Sequence, residues 1–208
     1  MKIRNSTIFN TWLESLSYFM NSTDVVPTER NLDTYEMRNV VLEVENPLGD
    51  IDSLLSFERS RGIDYTSEFY EEYWKIVRDK VKKFPKSSVN QEDVIIDKLK
   101  ECSYNRHGYA SIWVPTIDTV VSRPSCIIGI YFMVRNEKLN MTAILRSNDA
   151  WGQALNDMYE LVRIQKHVAN RLQMEIGEYT HFAMSYHLYI KDYIDAKMLL
   201  EEKNIIAK

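Results

Sequence analysis

The chain has 208 residues, 45% of them hydrophobic and 27% charged, with a formal net charge of −4. That is enough for one domain with a sizeable core, and the acidic balance gives no support to general nucleic-acid binding, which favours a basic face. No apolar run is long enough to span a bilayer, residues 1–5 lead into no signal-type segment, and two cysteines, Cys102 and Cys126, make no disulfide framework; a reduced, cytoplasmic setting is expected.

Ser6 is placed to cap a first helix in which Phe9, Trp12, Leu13, Leu16 and Phe19 or Met20 share one face. Residues 21–27 read as a turn, Thr28-Glu29-Arg30 as a polar loop, and 35–45 as a strand closed by Asn46-Pro47. Residues 50–64 show no clear period. Thr66 or Ser67 opens a second helix over 67–83, with Phe69, Tyr70, Tyr73, Trp74 and Val77 on its apolar side. Glu68, Glu71 and Glu72 suit the positive end of that helix. Asn90 caps a short helix over 91–101 with Val94, Ile95 and Leu99 inward. Tyr104-Asn105-Arg106-His107 connects it to a strand over 110–114 and a loop over 116–123.

The residues that carry chemistry lie between 123 and 189. Arg123-Pro124-Ser125-Cys126 precedes the apolar run 127–134, Asn136-Glu137 marks a turn, and a second strand runs into Arg146-Ser147-Asn148-Asp149. A helix over 157–173 follows, with Leu161, Ile164, Val168 and Leu172 at helical spacing, and Gly177 is placed for the turn after it. The next strand ends in His187-Leu188-Tyr189, whose first and last side chains share a face, and 193–200 reads as a final helix. A cysteine close to arginines is a candidate nucleophile, because cations lower a thiol's pKa. The bland alternative is a buried strand cysteine acting as a small hydrophobe.

From Arg106 to Tyr189 these motifs resemble, without a gap, the thymidylate synthase superfamily, whose members carry Pro-Cys, Arg-Ser-x-Asp, an Asn or Asp eight residues on, and His-x-Tyr. The resemblance implies an α+β fold, a mixed sheet with helices packed on one face. It also implies a single compact domain over 1–208, lacking the usual C-terminal extension, and a homodimer. The implied reaction is one-carbon transfer from 5,10-methylenetetrahydrofolate to C5 of a pyrimidine nucleoside monophosphate, with Cys126 adding to C6. Glu71, one turn from Trp74, would organise water and protons around the ring. Arg30, Arg146 and Ser147 would hold the phosphate, and Arg106 would reach the partner subunit's phosphate site. Asp149 would join the substrate site, and His187 and Tyr189 would reach the sugar. His107 stands where the family has a second arginine, which weakens that phosphate site at neutral pH.

Asp157 stands at the family's base-reading position, where thymidylate synthases carry Asn and deoxycytidylate hydroxymethylases carry Asp. An Asn amide matches the acceptor and donor of a uracil edge, whereas a protonated carboxyl matches a cytosine edge. The spacing of eight residues from Asp149 selects Asp157 over its neighbour Asn156. The expected activity is therefore that of a (d)CMP 5-hydroxymethylase, with Ser147 favouring the deoxynucleotide. A thymidylate synthase or dUMP hydroxymethylase follows if Asn156 reads the base. A catalytically inactive nucleotide-binding paralogue is the third reading: Phe84-Pro85-Lys86-Ser87-Ser88 replaces a Tyr-Gly-rich loop, and little chain follows His-x-Tyr. Neither a metal site nor a nucleic-acid or membrane partner is expected.

Overall fold

The computed structural model describes residues 1–63, 68–83 and 87–205, with 68–70 described by backbone alone; the expected helix openers Thr66 and Ser67 lie outside the described residues. The strands are β1 (Lys2–Asn5), β2 (Val25–Pro27), β3 (Asp33–Val44), β4 (Tyr109–Ser111), β5 (Ile127–Arg135), β6 (Lys138–Asp149) and β7 (Glu175–Tyr189). They form one sheet in the order β1-β3-β7-β6-β5-β4, with β2 beside β3. β1 and β3 run parallel, as do β6 and β7, while the other pairs are antiparallel. The helices are α1 (Ile8–Ser17), α2 (Ile51–Ser60), α3 (Glu68–Lys82), α4 (Gln91–Glu101), α5 (Pro115–Asp118), α6 (Ala154–Leu172) and α7 (Tyr193–Glu202). This is the expected α+β architecture with a mixed sheet. Among the described residues no helix is long and apolar enough to cross a membrane.

The β5–β6 hairpin follows directly from its turn. Asn136 and Glu137 both have positive φ, 51° and 62°, the conformation that lets a two-residue connection match the twist of the strands. The register shifts once, between Ile127 and Gly129, so that the Cys126 carbonyl accepts the Arg146 N–H at 2.9 Å. α6 then makes the long crossover that a parallel β6–β7 pair requires. Leu161, Ile164, Val168 and Leu172 are buried as their spacing predicts.

α1, α4 and α6 pack on the sheet face carrying Val40, Leu42, Phe132, Met141 and Ala143, all at most 1% exposed. Side chains alternate along a strand, so the opposite face carries Val41, Ile128, Tyr131, Met133, Ile144 and Phe182, which are only half-buried. Met184 beside them is exposed.

Several local expectations are corrected. Thr7, rather than Ser6, caps α1, accepting the Asn10 N–H. Residues 25–27 of the expected turn pair with β3, and the stretch without a period contains α2, of which only Leu54 and Glu58 are buried. A helix burying so little shows a weak periodic signal. In α4, Ile96 faces inward with Ile95 and Leu99, while Val94 is exposed. The strand expected over 110–114 is the shorter β4, and the following loop contains α5. α6 ends on Gln173 in the left-handed conformation, and Gly177 lies inside β7, where a Cβ would run into the Asn140 side-chain oxygen. That glycine serves close packing rather than a turn.

Candidate active site

The C-terminal ends of β6 and β7, the residues leading into β5, the start of β3 and the N-terminal turn of α6 surround a cavity of about 560 Å³. It brings together Arg30, Cys126, Arg146, Ser147, Asp149, Asp157, His187 and Tyr189, eight residues singled out from the sequence. Asp157 lines the cavity and Asn156, one helical step away, does not. Glu71 and Arg106 do not line it either. The Glu71 carboxylate accepts from Arg78 at 2.8 Å and lies 3.6 Å from Arg163. Arg106 is exposed, and its carbonyl accepts the Tyr131 hydroxyl at 3.0 Å. Tyr73, Arg123, Asn148, Glu36, Gln153 and Ser185 also line the cavity, and the sequence reading assigned none of them a role. For Tyr73 the signal was its helix, since it lies between Glu71 and Trp74; for Asn148 it was the quoted Arg-Ser-Asn-Asp run.

Cys126 is held by its neighbours on both sides. The Arg146 guanidinium donates to the carbonyls of Ser125 and Pro124 at 3.0 and 2.9 Å and comes within 3.9 Å of the Cys126 sulfur. Burial pushes the thiol pKa up by more than Arg146 pulls it down, and ionised Asp157 pushes it further up. The expected lowering of the thiol pKa is thus corrected: in the free protein, desolvation outweighs the adjacent cation.

Behind the loop, Asp118 accepts N–H bonds from Val114 at 2.7 Å and Ser125 at 3.0 Å and pairs with Lys80 at 3.2 Å. Burial raises this carboxyl, but the two N–H groups and the Lys80 ammonium outweigh it and hold the pKa below its ordinary value. Asp118→Ala is expected to cost roughly 3 kcal/mol in urea unfolding at pH 7, because it strands Lys80, the buried Val114 N–H and the half-buried Ser125 N–H. The folded pKa lies below the unfolded one. The contribution is therefore present at neutral pH and lost as the pH falls through and below about 4.

At the far wall Asp157 is 4% exposed, and its Oδ2 accepts from the Asn148 amide at 2.6 Å. Burial, with the Asp149 charge adding, pushes its pKa up to about 7 against the pull of Asn148. His187 lies 3.5 Å from the Ser147 hydroxyl through Nδ1, and its ring stands perpendicular to Tyr189. Burial lowers the His187 pKa although Asp149 and Glu36 pull it up. Asp149 Oδ1 accepts the N–H groups of Trp151 and Gly152 at 3.1 and 3.0 Å, and a Cβ on Gly152 would come within 2.6 Å of its Oδ2. Ser185 donates to Glu36 at 2.5 Å.

The arrangement offers a thiol, three arginines (Arg30, Arg123 and Arg146), a neutral imidazole and a carboxyl poised to hold a proton near neutrality. Among the described residues no group of three or more His, Cys, Asp or Glu side chains could hold a metal ion.

A thymidylate synthase family model matches residues 4–206. A protein of Methanocaldococcus jannaschii, provisionally named a thymidylate synthase, is 30% identical over 211 residues that cover 92% of this chain and 93% of its own. A protein of Methanosarcina mazei with the same provisional name is 27% identical over 207 residues, covering 92% of this chain and 90% of its own. A deoxyuridylate hydroxymethyltransferase of Bacillus phage SP01 is 23% identical over 222 residues, covering 88% of this chain and 57% of the phage protein.

Proposed function

The chain belongs to the thymidylate synthase family, and from that membership we propose that it is a (d)CMP 5-hydroxymethylase, a C5 one-carbon transferase that reads cytosine through Asp157. The observation that carries the base choice is the buried Asp157 carboxyl in the cavity wall, with its pKa near 7. A carboxyl that is neutral at working pH has one donor and one acceptor to set against a cytosine edge.

In this reading Arg30, Arg146 and Ser147 hold the phosphate, Arg146 as a planar fork. Asp149, His187 and Tyr189 position the sugar. The Cys126 thiolate adds to C6, which makes C5 nucleophilic toward the one-carbon unit; once C5 holds that carbon, loss of the C5 proton expels the donor's amine and leaves a C5 methylene. Water adds to the resulting C5 methylene as the thiolate leaves C6. Neutral Asp157 serves both base reading and nucleophile, since an ionised Asp157 pushes the thiol pKa up. Glu71, bound to arginines outside the cavity, has no step in this scheme.

The one-carbon donor that family membership implies is 5,10-methylenetetrahydrofolate. The exposed cavity residues Val26, Pro27 and Tyr73 give an apolar and aromatic rim beside Cys126 that fits a flat ring system, and these are the residues that would hold it. When bound, it supplies an electrophilic carbon at the formaldehyde oxidation level.

The test is release of tritium from C5 of dCMP and of dUMP, with and without the folate, and the mass of the product. Faster release from dCMP and a hydroxymethyl product are expected. The names of the phage and methanogen relatives favour a second reading, in which uridylate is the substrate; faster release from dUMP would establish it. No release from any pyrimidine monophosphate would leave a nucleotide-binding protein without this chemistry.

The uncovered apolar sheet face and the exposed Arg106 support a homodimer in which Arg106 reaches the partner's phosphate. Arg106→Ala and Cys126→Ala homodimers are each expected to be impaired. Mixing them places one intact Cys126 and one intact Arg106 in a single site of each heterodimer, so activity should recover. Absence of any recovery in purified heterodimers would overturn the cross-subunit reach.

A further inference from the structure

A chain of three hydrogen bonds leads from the core to the cavity. The Tyr179 hydroxyl meets His181 Nδ1 at 2.7 Å, His181 Nε2 meets Asn148 Oδ1 at 2.9 Å, and Asn148 Nδ2 meets Asp157 Oδ2 at 2.6 Å. None of the four residues is more than 4% exposed. At that depth each link needs one donor and one acceptor from the protein itself.

The chain can run in two directions. In one, Tyr179 donates to His181, His181 to Asn148, and the Asn148 NH₂ to Asp157. In the other, the Asn148 amide is turned over, Asp157 donates from Oδ2, and the Tyr179 hydroxyl accepts. Tyr179 chooses between them, because His181 is its only hydrogen-bond partner among the described residues. The second direction would leave a buried O–H without an acceptor. His181 stays neutral, since burial drives its pKa down to about 3, so one of its nitrogens always accepts.

We infer that Asn148, held by His181 and Tyr179, is a positioning residue that confines the Asp157 proton to Oδ1 and so sets the donor–acceptor order shown to the pyrimidine edge. The inference rests on the reading of Asp157 as the base-reading residue. A neutral carboxyl free to carry its proton on either oxygen matches a cytosine edge one way and a uracil edge the other. Discrimination therefore requires that the order be fixed. The other groups around Asp157 are Asp149 of β6, Cys126 before β5, Tyr73 of α3, and Tyr179 and Tyr186 of β7. Only Asn148 hydrogen-bonds to its carboxyl among the described residues.

The experiment compares dCMP, dUMP and deoxyribose 5-phosphate binding by calorimetry for the wild type, Asn148→Ala and Tyr179→Phe, with unfolding curves for each. The ratio of dCMP to dUMP affinity is expected to narrow about tenfold in both variants. Deoxyribose 5-phosphate, which lacks the base edge, should bind as before. Tyr179→Phe removes one oxygen, two side chains away from Asp157, and decides the matter if Asn148→Ala folds poorly. A folded Tyr179→Phe protein with an unchanged ratio overturns the inference and leaves the cytosine reading intact. A wild type that prefers dUMP sinks the cytosine reading, yet a preference that narrows in both variants still supports the order-setting role.

Discussion

Cys126→Ala is expected to lower tritium release from C5 by at least about 10⁴-fold, the scale of losing a covalent nucleophile, while changing dCMP affinity by less than about tenfold. The asymmetry follows from the geometry. The sulfur lies in the cavity beside Arg146, but the Cys126 carbonyl and the Ser125 N–H, not the thiol, hold the loop in place. Cys126→Ser should fail similarly, because a hydroxyl is a far weaker nucleophile than a thiolate. The same site gives an independent readout through alkylation. Iodoacetamide should label Cys126 more slowly in Arg146→Ala, which loses the cation that draws the thiol pKa down. Exposed Cys102 should label at the same rate in both proteins and serves as the internal reference. Release that persists in both Cys126 variants would remove the residue from the chemistry.

The hairpin that presents Cys126 and Arg146 was legible in the sequence because it is local. An apolar strand, a turn at Asn136-Glu137 and a second strand fix which residues face each other. The spacing from Asp149 to Asp157 was legible for a similar reason, since one short turn after β6 places the start of α6 over the strand ends. What escaped was set by tertiary contacts. Glu71 has the spacing of a site residue, yet spacing does not show which way a helix is rotated; α3 turns Tyr73 to the cavity and Glu71 to Arg78 and Arg163. The run Glu178-Tyr179-Thr180-His181 stands close to His-x-Tyr, but the sequence assigns it no role, and the link of Tyr179 and His181 to Asp157 exists only because β6, β7 and α6 converge. The thiol pKa was misjudged because the cation is visible in the sequence and burial is not.

Asp157→Asn is expected to reverse base preference from dCMP toward dUMP. Each mismatched edge leaves a buried group unpaired, at about 1–3 kcal/mol per group or one to two orders of magnitude in selectivity. The change should also remove a pH dependence. Wild-type dCMP affinity should weaken as the pH rises above about 7, where Asp157 gives up the proton that cytosine recognition uses. dUMP binding to Asp157→Asn should stay flat over the same range, because an amide does not titrate there. Stability reports the same proton with the opposite comparison. The folded Asp157 pKa lies above the unfolded one, so the folded wild type holds the extra proton and loses stability as the pH rises from about 4 to 7. Asp157→Asn should therefore gain on the wild type across that window, by about 3–4 kcal/mol for a shift of this size. Comparing the two proteins cancels the opposing slope from His181, which stays neutral when folded and favours the folded state less as the pH falls below about 6.5. Asn156→Asp, at a buried position that does not line the cavity, should leave the base ratio within about threefold, as expected for a site that does not touch the ligand. If Asn156→Asp is instead the substitution that switches the base, the register is one residue out and the enzyme acts on uridylate.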